Sequence, residues 1–255
     1  MSPALTTALG LLLPFAGTAA GSACVFLLRG SLRLSVHRFL LGFAAGVMTA
    51  ASVFSLLLPA IEASAGLGRL AFVPAAVGTL LGLLFLPAIQ AVTPRQAVDA
   101  PVSARRRAAL LCLAVTIHNI PEGMAPGVAF AGALNGGGVS MAAAWSLALG
   151  IAIQNFPEGA VISMPMAAAG EGRGRAFALG VLSGAVEPAA AGLSLLLTGA
   201  FSAALPWALS FAAGAMLYVA AAELIPEAGE TDGRLAGLSF GAGFLVMMIL
   251  DVSMG

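Results

Sequence analysis

The sequence predicts an all-α integral membrane protein, and two observations carry the prediction: its composition and the length of its apolar runs. Hydrophobic residues make up 60% of the 255 positions and charged residues only 9%, with a formal net charge of zero. A typical soluble domain carries about 25% charged residues, which cover much of its solvent-exposed surface. We therefore exclude a soluble enzyme, a nucleic-acid-binding protein, which needs a basic surface, and a disordered chain, which needs low hydrophobicity.

Eight apolar runs are long enough to cross a bilayer, which takes about 20 residues of helix. In chain order, these spans 1 to 8 are residues 4–28, 39–61, 69–91, 108–131, 140–164, 175–199, 201–224 and 234–254. Each run is read as a transmembrane helix, because apolar and polar residues do not alternate as they would in a barrel strand. No segment is polar enough to form a second domain, so residues 1–255 are expected to form one transmembrane domain.

The first span resembles a signal peptide only at one point. Thr18, Ala19 and Ala20 look like a cleavage site, but no positively charged segment precedes them and the apolar run continues to Leu28. A secretory signal would begin with such a charged segment. We expect span 1 to be retained as a transmembrane helix.

The arginines predict the orientation of the spans. Nine lie in loops 1–2, 3–4 and 5–6, whereas loops 2–3 and 7–8 hold only Arg69 and Arg234. Cytoplasmic loops carry an excess of basic residues, so the arginine-rich loops are placed in the cytoplasm, including the longest one at about residues 92–107. Both termini are then outside, in a chain of the inner (plasma) membrane. The nine are Arg29, Arg33, Arg38, Arg95, Arg105, Arg106, Arg107, Arg173 and Arg175.

Spans 2 and 7 carry similar sequences, which indicates an internal repeat. The sequence FAAGVM at 43–48 recurs as FAAGAM at 211–216, and a proline and an acidic residue follow each copy. Spans 2 and 7 cross the membrane in opposite directions. A repeat that relates spans 1–3 to spans 6–8 is therefore inverted, around a central pair formed by spans 4 and 5. Inverted repeats are common in secondary transporters.

The central pair carries one polar motif in two copies. Span 4 contains HNIPEG at 118–123, span 5 contains QNFPEG at 154–159, and span 6 adds Glu187 before a proline. With a rise of 1.5 Å per residue, His118, Gln154 and Glu187 lie about 15, 21 and 18 Å into their spans, near the middle of a core about 30 Å thick. Every arginine, in contrast, lies at or beyond a span end.

The acids of these motifs, Glu122, Glu158 and Glu187, need a partner at that depth. An ionised carboxylate at the bilayer centre costs at least about 2.5–3.5 kcal/mol. Either the glutamates are protonated or they bind a cation. A proline kink with neutral polar groups that pack helices together would explain one motif, but it explains a duplicated motif with a third acid poorly.

The spacing favours the cation. His118 shares a helix face with Glu122, and Gln154 shares a face with Glu158, because residues four apart point the same way. Asn119 and Asn155 reach the adjacent sector. Imidazole and carboxylate together suit Zn²⁺ and neighbouring divalent metals. Glu223 lies about 25 Å along span 7 from its outer end, where it is either an exit-side ligand or an interfacial acid.

These motifs closely resemble those of the ZIP (Zrt/Irt-like) family of divalent metal transporters, in particular its bacterial branch. The resemblance covers essentially the whole chain and implies one metal site of His118, Glu122, Gln154 and Glu158. It implies an adjacent site of Asn119, Glu122, Asn155, Glu158 and Glu187, with the two motif glutamates bridging both. It also implies an elevator-type carrier, in which spans 1, 4, 5 and 6 slide against spans 2, 3, 7 and 8, and a homodimer. Many relatives have histidine at the position of Gln154, and a neutral amide is a poorer zinc ligand.

The sequence thus predicts uptake of a divalent transition metal ion towards the cytoplasm, Zn²⁺ first, with Cd²⁺, Fe²⁺ or Mn²⁺ as further candidates. The expected partners are the metal ion, the lipid bilayer and a second copy, and neither enzymatic activity nor nucleic-acid binding is expected. Two alternatives stay open. A metal-selective channel is not separated from a carrier by sequence. An intramembrane metallohydrolase is weakly supported, because the chain has two histidines and no HExxH helix.

Overall fold

The computed structural model describes residues 2–27, 33–92, 104–136, 138–168, 170–200, 202–230 and 232–254, and these ranges are helical with no β-strand. Most of the predicted 92–107 loop, with Arg95, lies outside the described residues, as does Arg29. Eight long helices follow one another: α1 (Pro3–Leu27), α2 (Leu34–Ala63), α3 (Phe72–Val92), α4 (Ala104–Leu134), α5 (Met141–Ala168), α6 (Arg173–Gly184 and Val186–Ala200), α7 (Leu205–Gly229) and α8 (Gly233–Met254).

Seven of these helices, all except α4, are long and apolar enough to cross a membrane. The prediction of an all-α integral membrane protein is thereby confirmed. Helix α4 has 31 residues and occupies the place of span 4, and its crossing, which would complete eight spans, stays a prediction.

The helices pack in four pairs, α1 with α5, α4 with α6, α2 with α8 and α3 with α7. Glycines permit the close approach: Gly17 of α1 lies against Ala152 of α5, and Gly21 lies against Phe156. Residue numbers rise together along both helices, so the pair is parallel, as alternating crossings of odd- and even-numbered helices require. The other pairs follow the same rule, with contacts Gly123–Glu187 and Gly127–Ala191, Gly42–Ala236 and Gly46–Phe240, and Gly78–Trp207 and Gly82–Phe211.

The two FAAG copies make equivalent contacts, which supports the predicted repeat of α1–α3 in α6–α8. Gly46 of the first copy lies against the backbone of α8, and Gly214 of the second lies against the backbone of α3. In turn, a glycine of α8 lies against the carbonyl oxygen of Phe43, and a glycine of α3 lies against the carbonyl oxygen of Phe211. In the repeat, α3 is the third helix of the first copy and α8 is the third helix of the second. Each FAAG motif therefore packs against the third helix of the other copy.

The repeat extends to a helix distortion. Helices α2 and α7 each contain a π-helical segment, Ser52–Leu57 and Ala220–Leu224, that begins nine residues after the motif phenylalanine. Pro59 and Pro226 each lie two residues after the end of the segment. Proline lacks an N–H and its ring clashes with the carbonyl four residues earlier, and a wider π turn accommodates that clash.

The α7–α8 turn lies at the same end of the bundle as the start of α2. His37 Nε2 is 3.1 Å from Glu227 Oε1, and Arg38 Nη2 donates to Glu230 Oε2 at 2.9 Å. Counting Arg234 with Arg69, away from the arginine-rich loops, was therefore wrong. The α7–α8 turn returns the chain to the end where α2 begins, so Arg234 joins the arginine-rich side and strengthens the charge asymmetry.

The eight helices form two groups of four, one of α1, α4, α5 and α6 and the other of α2, α3, α7 and α8. The groups meet where α5 contacts α2 and α8 and where α4 contacts α7. Large apolar side chains from both groups are buried together in one core cluster, among them Met48, Leu147, Ile151, Leu209 and Met216. The predicted polar motifs lie in α4 and α5, the helices of the first group that face the second.

Candidate metal site

Both motif copies bring a helix backbone close to a neighbouring helix. A side chain at Gly123 would collide with the backbone of Glu187 in α6, and one at Gly159 would collide with the backbone carbonyl of Thr18 in α1. Only glycine permits such approach, since any Cβ would occupy the space of main-chain atoms. The two glycines therefore hold α6 against α4 and α1 against α5, with Glu122 and Glu158 one residue before each contact.

Helix α6 is interrupted beside these contacts. Its two parts end at Gly184 and begin again at Val186, and the cap residue Ala185 donates to Leu182, three residues back. The carbonyl of Ser183, near the break, accepts a hydrogen bond from Asn119 Nδ2 at 3.0 Å. The second part of α6 opens with Glu187 in its first turn. A broken helix at the midplane that offers backbone carbonyls is a common feature of substrate sites in transporters.

The predicted side chains form a connected hydrogen-bond network. Gln154 Nε2 donates to Glu122 Oε1 at 2.8 Å and to Asn155 Oδ1 at 3.2 Å. Asn155 Nδ2 donates to Glu187 Oε2 at 2.9 Å, and the hydroxyl of Thr18 donates to Glu187 Oε1 at 2.6 Å. Helices α1, α4, α5 and α6 thus converge on one polar centre inside the first helical group.

Burial makes this centre unusual. His118, Asn119, Glu122, Gln154, Asn155, Glu158 and Glu187 are all at most 8% exposed. The carboxyl groups of Glu122, Glu158 and Glu187 are close enough to act on one another electrostatically. In the described part of the chain, no arginine pairs with any of the three. Three buried acids without a basic partner are costly unless a cation or protons compensate them.

Several polar atoms of the network have no hydrogen-bond partner among the described residues: Asn119 Oδ1, Glu122 Oε2 and Gln154 Oε1. All three are oxygens, which are acceptors and can also ligate a cation. Within the described ranges, no three His, Cys, Asp or Glu side chains converge in metal-ligating geometry. Glu122 and Gln154 are joined to each other through Oε1 and Nε2, and each keeps a second oxygen that has no partner in the described part of the chain.

Glu223 lies closer to the motif than its position in span 7 suggested. Its Oε2 atom is 2.8 Å from Nε2 of His118, and its side chain is 27% exposed against 10% for the imidazole. The π-helical segment Ala220–Leu224 contains this residue. His118 and Glu223 therefore form a contact between the two helical groups, on the more exposed side of the buried network.

Sequence reasoning missed two residues of the centre, Thr18 and Ser183. Thr18 stood in a run of small residues that drew attention only as a false cleavage site, and it is fully buried against Glu187. Ser183 contributes a backbone carbonyl, for which side-chain identity gives no signal. A threonine within an apolar span was the only available indication of the first.

A membrane domain with a buried set of carboxylate, amide and imidazole groups beside the boundary of two helical groups has the architecture of a metal-ion transporter. Residues 89–251 match the sequence model of the family described as "ZIP Zinc transporter". The chain belongs to the ZIP family, and it is a transporter of metal ions rather than an enzyme.

Individual relatives agree with the family match. Zinc transporter ZIP11 of Xenopus tropicalis is 39% identical, with 100% of this chain and 98% of the relative covered. Zinc transporter ZIPB of Bordetella bronchiseptica is 38% identical over 94% of this chain and 79% of its own. Zinc transporter GufA of Myxococcus xanthus is 38% identical over 94% of this chain and 96% of its own. The similarity thus extends over the N-terminal helices that precede residue 89.

Proposed function

We propose that this protein takes up divalent transition metal ions into the cytoplasm, with Zn²⁺ as its main substrate. The observation that carries the proposal is the buried network of Glu122, Glu158 and Glu187, which no arginine of the described chain compensates. The names of the relatives, all zinc transporters, support zinc as the substrate. Cd²⁺, Fe²⁺ and Mn²⁺ are the further candidates, since the oxygen-rich donor set is not selective for zinc alone.

The donors divide into two adjacent sets. His118, Glu122, Gln154 and Glu158 would hold one ion, and Asn119, Asn155 and Glu187 would hold a second with the same two glutamates as bridges. Opposite charges make such bridging favourable, because each divalent ion neutralises carboxylates that otherwise repel each other. The direct Gln154–Glu122 and Asn155–Glu187 hydrogen bonds support the proposal that both sets belong to one centre.

The two helical groups support an elevator-type carrier, in which α1, α4, α5 and α6 slide as a unit against the other four helices. The metal donors all belong to the first group apart from Glu223. Such a movement would break the contact between His118 and Glu223, which crosses the boundary. His118 would then be released from Glu223 when it ligates the ion in the opposite orientation, and Glu223 would act as a transit ligand at the exit.

The proposed transport takes place in a particular membrane, with a particular orientation of the chain. The chain would lie in the inner (plasma) membrane with both termini outside the cytoplasm, because ten of the eleven arginines fall on one side once Arg234 is assigned there. The resemblance further implies a homodimer. Crosslinking in native membranes, followed by the mass of the product, would test that state.

Metal uptake into proteoliposomes tests the function. Glu122→Gln and Glu158→Gln keep side-chain volume but remove the charge. Because removing a ligand weakens metal binding more than removing a residue that only supports the ligand, each variant is expected to reduce Zn²⁺ uptake at least about tenfold. Glu62→Gln, at the exposed end of α2, serves as the matched control. Unchanged uptake in the two site variants would refute the assignment. Saturable uptake is expected of the carrier, whereas flux linear in metal concentration would indicate a pore.

A further inference from the structure

We infer that Thr18 of α1 is a positioning residue of the metal site, whose hydroxyl holds Glu187 in the orientation that receives the ion. This inference rests on the proposed function and adds to it a residue and a helix that the predicted ligand set does not contain. Its basis is a short hydrogen bond, 2.6 Å from Thr18 Oγ1 to Glu187 Oε1, between two side chains without solvent exposure.

Thr18 and Asn155 each donate a hydrogen bond to one oxygen of the Glu187 carboxyl group. The Thr18 hydroxyl donates to Oε1, and the Asn155 amide donates to Oε2 at 2.9 Å. The two donors come from different helices, α1 and α5, and each engages one oxygen of the acid. With both oxygens engaged, the carboxyl group has a single orientation, which is the preorganisation that a supporting residue supplies to a metal ligand.

Metal binding would affect the two hydrogen-bond donors, Thr18 and Asn155, differently. Asn155 belongs to the proposed ligand set, and its Oδ1 already accepts from Gln154, so an incoming ion would have to rearrange this amide. Thr18 belongs to no ligand set and loses nothing when the ion enters. Its hydrogen bond therefore persists and keeps Oε1 in place, which leaves Oε2 as the oxygen directed to the ion.

The position of Thr18 is itself fixed by packing. A Cβ on Gly159 would collide with its carbonyl oxygen, and its Cγ2 methyl lies 2.8 Å from where a Cβ on Gly184 would be. The same carbonyl accepts a hydrogen bond from Ser22 Oγ at 2.8 Å. Helix α1 is thus held against α5 and against the break in α6, so the hydroxyl points to Glu187 without freedom to turn away.

The variants Thr18→Val, Thr18→Ala and Thr18→Ser separate positioning from packing. Valine keeps the volume and the methyl group that faces Gly184 but removes the hydroxyl, alanine removes both, and serine keeps the hydroxyl. Thr7→Val is the matched control, because Thr7 is 4% exposed in the same helix and its hydroxyl has no hydrogen-bond partner among the described residues. Binding of Zn²⁺ and of Cd²⁺ to the purified full chain is measured by titration calorimetry, together with the thermal unfolding of the metal-free protein.

The expected result is a loss of affinity of about tenfold for Thr18→Val and Thr18→Ala, the size typical of removing a contact that orients a ligand. Thr18→Ser is expected to bind within about twofold of the unsubstituted chain, and Thr7→Val likewise, since neither loses a donor to a ligand. A role in packing alone would instead reduce the affinity and the unfolding temperature of Thr18→Ala, which loses the methyl contact with Gly184, and would leave the affinity of Thr18→Val unchanged.

Three outcomes would overturn the inference. The first is unchanged affinity in Thr18→Val while the unsubstituted chain binds metal, which would assign any loss in Thr18→Ala to packing. The second is a failure of Thr18→Ser to restore binding. The third is loss of folded protein in both Thr18→Val and Thr18→Ala, which would make the residue a determinant of folding. Absence of metal binding in the unsubstituted chain would refute the proposed function itself, and the inference with it.

Discussion

The two copies of the polar motif are nearly identical in sequence, but they contact different parts of the molecule. In α4, His118 meets Glu223 of the other helical group and Asn119 donates to a backbone carbonyl of α6. In α5, Gln154 and Asn155 both form hydrogen bonds with other residues of the proposed metal site. The α5 copy connects the site internally, whereas the α4 copy also links it to the second group of helices.

Similar backbones with different side-chain partners explain how one motif serves two purposes. Each copy places its glycine against a neighbouring helix, so the local geometry is shared. The first motif position differs, histidine in α4 and glutamine in α5, and so do the partners available to it. Imidazole can pair with a carboxylate across the boundary, while an amide both donates to Glu122 and offers an oxygen. The asymmetry predicts unequal effects of equivalent substitutions.

The largest effect is expected where the copies are equivalent, at the glycines. Gly123→Ala and Gly159→Ala each insert a methyl group into backbone atoms of α6 or α1, which no side-chain rotation relieves. Overpacking of this kind costs about 1–3 kcal/mol, and more where the backbone itself must shift. We expect loss of folded protein, measured as yield and unfolding temperature in detergent.

Gly241→Ala is the control for the glycine variants, since a Cβ at Gly241 in α8 would meet no atom of a neighbouring helix within 4 Å. It should leave yield and unfolding temperature unchanged. If Gly123→Ala folded normally and Gly159→Ala did not, the two copies would differ in their backbone packing as well, and the proposed equivalence would be incorrect.

The asparagines should separate the two copies. Asn155→Ala removes a donor to Glu187 and an acceptor for Gln154, whereas Asn119→Ala removes one donor to a backbone carbonyl. We expect metal affinity to fall about 30-fold for Asn155→Ala and about fivefold for Asn119→Ala, within the range for losing buried hydrogen bonds near a ligand. Titration of Zn²⁺ into both variants measures the difference, and equal losses would argue against the asymmetry.

Sequence patterns predicted the helical class and pointed to the residues that the structure gathers in one buried polar network, because both depend on local regularities. Long apolar runs define the helices, and intramembrane acids such as Glu122 are costly enough to indicate function wherever they occur. The repeat was readable because FAAG occurs twice at equivalent places. Contacts between helices distant in sequence were not readable in this way.

The contacts of Thr18 and Glu223 could not be predicted from the sequence. Thr18 is 169 residues from Glu187, and one threonine in an apolar helix has no pattern that reveals its partner. Glu223 was placed by counting residues at a regular helical rise, but α7 contains a π-helical segment there, and its proximity to His118 depends on how two helices pack. The side of Arg234 was misassigned for a simpler reason, since loop 7–8 was grouped with the wrong loop.

Replacing Gln154 by histidine would make the copies alike and should change metal preference. The Gln154→His variant loses the amide hydrogen bonds to Glu122 and Asn155 but gains an imidazole, which is a better zinc ligand than a neutral amide. We expect the preference for Zn²⁺ over Mn²⁺ to rise about fivefold, equal to about 1 kcal/mol. Competition between the two ions in uptake assays gives the ratio, and an unchanged ratio would indicate that position 154 does not ligate the ion.

The smallest effect is expected at the contact that distinguishes the α4 copy, between His118 and Glu223. Glu223→Gln keeps a hydrogen-bond acceptor for the imidazole but removes the charge, so the contact between the helical groups is weakened rather than lost. A partly exposed pair of this kind contributes about 1 kcal/mol or less, which corresponds to a change of about two- to fivefold in maximal uptake rate with little change in the metal concentration at half-maximal rate. Glu227→Gln, on the same helix but paired with His37 away from the site, controls for altered charge and should not change the rate. A large loss of metal affinity in Glu223→Gln would instead make Glu223 a ligand of the central site, and the α4 copy would then bind its ion together with the second helical group from the start.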